Sequence, residues 1–287
     1  MTRKVELARK AYKSAIQERR NAGINPASAI CVFDLIYERG VEVRFQNISS
    51  MEGLYYNDGK PLILVSSCRP RGRVAYTCAH EYGHHVFGHG NRIDEVLDSK
   101  SEKKWEPDEF LTDCFAGFLL MPKLAICKAF SSRGWDIKHC TPEQVFVISG
   151  YMGTGYHSLL THMCYSLRVM ARPQFDMLSS ATPKSIKSKL TGFEHTGEVI
   201  VFDRNWGQKA IDLCVGDILI APKKSVIEGA CVELVDTCTT GLIYKAFSQG
   251  LDRIQDEEGG VASHIRVSRT FFEGLVQYRH FPEVASE

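Results

Sequence analysis

The chain has 287 residues, enough for one large domain or two unequal ones, and its 44% hydrophobic and 24% charged content is that of a globular protein with a core. A net charge of +1 argues against a polyanion-binding surface spread over the whole molecule. The ten cysteines include no C-x-x-C pair and the first residues, Met1-Thr2-Arg3-Lys4, lack the apolar core of a signal peptide, so reduced thiols, mostly buried, and a cytoplasmic location are expected.

Val5, Ala8, Ala11, Tyr12 and Ile16 recur at helical spacing and predict a first helix over 4–22. Asn25-Pro26 reads as the start of a second, running through Ile36 to Gly40. Strands follow at 41–45, 53–56 and 61–65, the last two joined by an Asn57-Asp58-Gly59 turn. Helical spacing returns over 73–87 and stops at Gly88. A polar loop over 91–106 leads to a helix from Pro107 to Met121, and Pro122 opens another through Phe130. The longest apolar run, Phe115 to Met121, falls well short of the roughly 18 residues a membrane span needs. Helices over 142–148 and 156–170, separated by Gly150 and Gly153-Thr154-Gly155, have the spacing of a helix-turn-helix but no basic face. Residues 172–195, rich in Ser, Lys, Thr and Pro, read as a linker, with Lys184, Lys187 and Lys189 as solvated charges. Beyond it strands are expected at 198–202, 217–221, 230–235, 241–247, 264–267 and 275–278, in a barrel or sandwich. No internal repeat is present.

The chemistry concentrates in His80-Glu81-Tyr82-Gly83-His84. Residues four apart on a helix lie one above the other, so His80 and His84 can hold one ion. Glu81 is turned about 100° from His80, near enough to reach a metal-held water without being a ligand. Ala75, Cys78, Ala79, Tyr82 and Val86 fall on the opposite face and suit a core. A catalytic zinc site needs a third protein ligand and an open position. The segment 106–116 offers Glu109 and Asp113 on one helix face, while a carboxylate near a helix start is also favoured for its own sake. If Glu109 is the ligand, Asp113 can hydrogen-bond a ligand histidine and fix its tautomer. His85 points about 100° away from His84, towards loop or solvent. His89 lies beyond Gly88, where helical geometry gives no direction. Position 90 is Gly, so the three-histidine pattern of the metzincins is absent.

Arg73 to His89, followed by Glu109-Phe110-Leu111-Thr112-Asp113-Cys114-Phe115-Ala116-Gly117-Phe118-Leu119-Leu120-Met121-Pro122, resembles the ImmA/IrrE family of zinc peptidases. The resemblance extends over roughly 5–170. It implies a gluzincin-like site with His80, His84 and Glu109 as zinc ligands, Glu81 as general base and Asp113 behind a ligand. It also implies a protein substrate, a helix-turn-helix repressor cleaved in a stress-response or mobile-element switch. The family often has Leu at the place of Tyr82 and Ala-Asn at that of Thr112-Asp113, differences that spare the implied ligands. The C-terminal region has no evident counterpart; some relatives carry a sensor-like domain there.

An α+β architecture is therefore expected: a mainly helical, zincin-like peptidase domain with a small sheet over 1–172, a linker over 173–195 and a smaller β-rich domain over 196–287. Two histidines and a carboxylate suit zinc well. Tyr56, His89 and Tyr156 are candidates for stabilising an oxyanion, and the loop over 90–106 for covering the metal. A different class of reading is a zinc-stabilised regulatory module that cleaves nothing, against which the intact Glu81 stands. Direct DNA binding through 142–170 is disfavoured, because Arg168 is nearly the only cation there. No membrane partner is expected.

Overall fold

The computed structural model describes residues 3–95, 105–258 and 260–281, an α+β fold with the three sheets set out below. Helix α1 (Arg3–Asn21) and α2 (Val32–Glu38) precede β1 (Glu42–Gln46), β2 (Met51–Tyr56) and β3 (Leu62–Ser66). Then come α3 (Arg71–Phe87), β4 (Arg92–Glu95), α4 (Pro107–Leu120), α5 (Lys123–Ser131), α6 (Pro142–Met152) and α7 (Tyr156–Thr161). The last of these runs on into a π-turn over His162–Ser166. The 90–106 loop expected from sequence contains β4, and its remainder lies largely outside the described residues.

The predicted second helix is shorter than its sequence suggests. Asn25 bends the chain instead: its Oδ1 accepts the Ala27 N–H at 2.9 Å, and buried Arg19 donates to the carbonyls of Asn25 and Ser28. Those carbonyls are thereby drawn to a side chain, and the helix starts only at Val32.

The first sheet has the order β13-β1-β3-β2-β4, where β13 is Gly274–Leu275 from near the other end of the chain. Strands β1 and β3 run parallel, while β2 pairs antiparallel with β3 and β4. The β2–β3 hairpin turns through Gly59 at φ 98°, a conformation that favours glycine. Helix α3 lies on β2 and β3 with α4 beside it and α1 behind α4. Ala75, Cys78, Ala79 and Tyr82 face this core, as the spacing predicted. Residues Pro107–Ser131 are apolar enough by composition to cross a membrane, and 67% of that window is buried against the rest of the chain, as in a core helix.

Residues 173–195, read from sequence as a linker, form most of two helices, α8 (Arg172–Ser179) and α9 (Pro183–Thr191). Each has proline in its first turn, α9 carries a Thr182/Ser185 capping box, and Leu178 and Ile186 anchor them in the core. Beyond them lie β5 (Val199–Val201), β6 (Ile211–Cys214), β7 (Ile218–Ala221), β8 (Ser225–Glu228) and β9 (Val232–Thr237). Strands β10 (Leu242–Ala246), β11 (Gly250–Asp256) and β12 (Val261–Ser268) complete the region. They make two four-stranded sheets, β5-β7-β10-β9 and β6-β12-β11-β8, around a second core that includes Phe202, Trp206, Leu219 and Ile265. Strand β7 is buried on both faces: Leu219 and Ala221 enter this second core, and Ile218 and Ile220 enter the first.

Candidate metal centre

Helix α3 carries its chemistry in its middle turns. Glycine at position 83 lets the neighbouring helix close in: a Cβ there would lie 3.0 Å from Thr112 and 3.2 Å from Phe115 of α4. Tyr76 bonds the two helices again, its hydroxyl donating to the Asp113 carbonyl at 2.9 Å. This close pairing brings Glu109, in the first turn of α4, over His80 and His84.

The three side chains converge on a small triangle. His80 Nε2 lies 3.1 Å from His84 Nε2 and 3.2 Å from Glu109 Oε2, and His84 Nε2 lies 3.5 Å from Glu109 Oε1. Ligand atoms about 2.0–2.1 Å from a tetrahedral zinc are about 3.3 Å from one another. The donor set therefore fits such an ion in both type and spacing, with one tetrahedral position left for water. Both histidines are buried and Glu109 is mostly so.

Each histidine is held from behind. His80 Nδ1 meets Asp113 Oδ1 at 2.9 Å, and His84 Nδ1 meets His89 Nδ1 at 2.9 Å. His89 in turn faces Asp108 with Nε2 3.7 Å from Oδ1. The first two turns of α4 thus supply Glu109 and, on either side of it, Asp113 behind His80 and Asp108 facing His89. Burial alone would lower the pKa of His80, but hydrogen bonds with Asp113 and Glu109 outweigh it and raise it to about 10. The same carboxylates would favour a cation at this place.

Glu81 is fully buried, pressed against β2 at Gly53. A Cβ at position 53 would stand 2.7 Å from Glu81 Oε1 and 2.5 Å from Thr77, so the strand can pass this carboxylate only as glycine.

Other predicted residues sit elsewhere. His85 turns to β2 rather than to solvent or a loop, bonding the Tyr55 hydroxyl at 2.9 Å and stacking on Tyr82. Tyr156 is occupied, since its hydroxyl donates to the Leu178 carbonyl at 2.8 Å. Tyr56 is exposed and engaged with Asp58. His89, of unassigned direction in the sequence, is the residue behind His84. The N-terminal part of α3 was not singled out from sequence. Arg71 there pairs with Asp217, and Arg69 and Arg73 hold Glu52 at 3.0 and 2.9 Å.

A helix pair beside a small mixed sheet thus carries a His-His-Glu cluster that could hold a metal ion. Residues 37–148 match the model of a peptidase family described as the IrrE N-terminal-like domain. The match takes in α3, all of α4 and all three donors, so the resemblance to the ImmA/IrrE family carried by the two motifs is borne out over that stretch. No curated relative matches the chain.

Proposed function

We propose that the chain is a zinc-dependent endopeptidase with a protein substrate, His80, His84 and Glu109 being the metal ligands and Glu81 the general base. The donor triangle, with Glu81 buried next to His80 in the same helix, is the observation that carries this reading. When bound, zinc supplies a Lewis acid that polarises the scissile carbonyl and brings the pKa of a coordinated water towards about 7. Glu81 accepts the proton of the attacking water and later returns it to the leaving amine. Its carboxylate is fully buried against the β2 backbone at Gly53. Asp113 fixes the His80 ring so that Nε2 presents its lone pair, and His89 does the same for His84.

The family resemblance extends the proposal to the substrate: a helix-turn-helix repressor, cleaved in the cytoplasm as part of a stress-response or mobile-element switch, without direct contact of this chain to nucleic acid. In this reading the residues up to 172 are a zincin-like catalytic domain, and the β-rich region from 196 is a second domain with a regulatory role.

Metal analysis of protein purified without added zinc tests the assignment. About one zinc per chain is expected in the wild type and in Glu81→Gln, and none in His80→Ala or Glu109→Ala. Glu81→Gln should lose hydrolysis while keeping its metal; full activity in that variant would sink the general-base role. A wild type that binds no metal would leave the regulatory module that cleaves nothing as the better reading.

A further inference from the structure

A cleft of about 760 Å³ runs along the first turns of α3, between them, the turn after α6 and the C-terminal strands. That volume is in the range of small-molecule sites, which commonly lie where two parts of a chain meet. Its lining includes Tyr76, Thr77, His80 and Asp113 from the helix pair and Trp206, Lys209 and Ile211 from the C-terminal region. Arg71 and His80 both line it, nine residues apart on α3, so it extends about 13 Å along the helix. The walls are tightly held: a Cβ on Gly72 would lie 2.6 Å from the backbone of Thr154 and Gly155.

The charges in the wall are matched, with one exception. Arg71 pairs with Asp217, Arg73 with Glu52, and Lys187 faces Glu198 at 3.9 Å. Asp212 receives Arg266 at 2.7 and 2.8 Å, and Asp113 bonds His80. Among the described residues Lys209 has no carboxylate within ion-pair distance. Its ammonium donates to the Tyr151 carbonyl at 2.6 Å and lies 5.4 Å from the centre of the Trp206 ring and 5.8 Å from that of Tyr151. The carbonyl belongs to the last turn of α6, so Lys209 caps that helix with one N–H and has two more to give. Burial draws its pKa down to about 8, the mark of a charge with too little solvation for its surroundings.

We propose that the cleft binds a small organic anion with an aromatic or branched apolar body. Its anionic group sits on Lys209, its body packs against Trp206, Ile200 and Met152, and its far end approaches His80. Such a ligand touches the metal-bearing helix and the C-terminal sheets at once. The inference does not depend on the metal assignment, because none of the anchoring groups is a metal ligand.

Anilinonaphthalene sulfonate, an aromatic anion whose emission shifts to the blue in apolar sites, is the probe, titrated into the full-length chain. One saturable site per chain is expected. Lys209→Gln keeps a donor for the Tyr151 carbonyl but removes the charge, and should weaken binding about tenfold or more, as for other charged hydrogen bonds in poorly hydrated sites. Lys209→Arg should restore most of the affinity. Ser158→Trp, which fills the cleft from α7 without touching Lys209, should abolish binding and decides the matter if Lys209→Gln does not fold. A wild type with no saturable site, or equal affinity in wild type, Lys209→Gln and Ser158→Trp, would overturn the proposal. Glu109→Ala, which removes a proposed metal ligand that does not line the cleft, should still bind the probe, so failure of the metal site and failure of the cleft are distinguishable.

Discussion

His84 is held by a residue that helical spacing does not place. Gly88 ends α3 in the left-handed region at φ 68°, and this reversal carries His89 back over the last turn, with its N–H on the His84 carbonyl at 3.0 Å. Its imidazole then meets His84 Nδ1. A helical wheel stops at the glycine, which is why His80, Glu81 and His84 were legible in the sequence and the direction of His89 was not. Glu109 and Asp113 were legible as two carboxylates on one face, but which of them would join the two histidines and which would sit behind His80 depended on how α4 approaches. Groups behind metal ligands typically change affinity by about tenfold to a hundredfold. His89→Ala is accordingly expected to weaken zinc binding by that factor while leaving the three donors in place, read by competition with a chromophoric chelator. An unchanged affinity would mean that the contact exerts no hold on His84.

At the scale of elements, the strongly periodic helices and the first hairpin were predicted within a few residues, and the misses have particular causes. Strand β11 escaped because its alternation is inverted: Asp252 and Asp256 point inward and Leu251 outward. Asp252 earns its burial by accepting the backbone N–H groups of Ala230, Cys231 and Val232, a role that no hydrophobic pattern announces. Helices α8 and α9 escaped because their anchoring residues, Leu178 and Ile186, are sparse among Ser, Lys and Thr. Close approach between elements is equally silent in a pattern of polar and apolar letters. At Gly72 the obstacle to a side chain is the backbone of the 154–155 turn, which cannot rotate aside as a flexible side chain would. Gly72→Ala should therefore destabilise the chain by about 1–3 kcal/mol through overpacking, although alanine is the better helix former. Denaturant titration checks this; a variant as stable as the wild type would show that the turn yields.

At the scale of the whole molecule, the two halves share structure that a division by composition does not reveal. The change from helical to strand periodicity after residue 195 was visible, but β7 serves two cores and β13 returns to extend the first sheet beside β1, Arg44 opposite Leu275. Burial on both faces needs only a run of apolar residues, and Ile218-Leu219-Ile220-Ala221 does not say which cores it joins. Asp217, just before this strand, links them chemically. One oxygen accepts the Glu198 N–H at 2.8 Å; the other accepts the Cys214 N–H at 2.7 Å and pairs with Arg71 in the first turn of α3. Asp217→Asn removes the charge opposite a mostly buried guanidinium and presents an amide to at least one of these donors. Breaking such a pair from one side costs about 3 kcal/mol, so the variant should melt well below the wild type. Because the carboxylate ties α3 to the C-terminal sheets, calorimetry is expected to show one transition for the full chain, lowered as a unit. Two transitions, with only the one insensitive to zinc lowered in the variant, would instead mean that the C-terminal region folds apart from the metal centre.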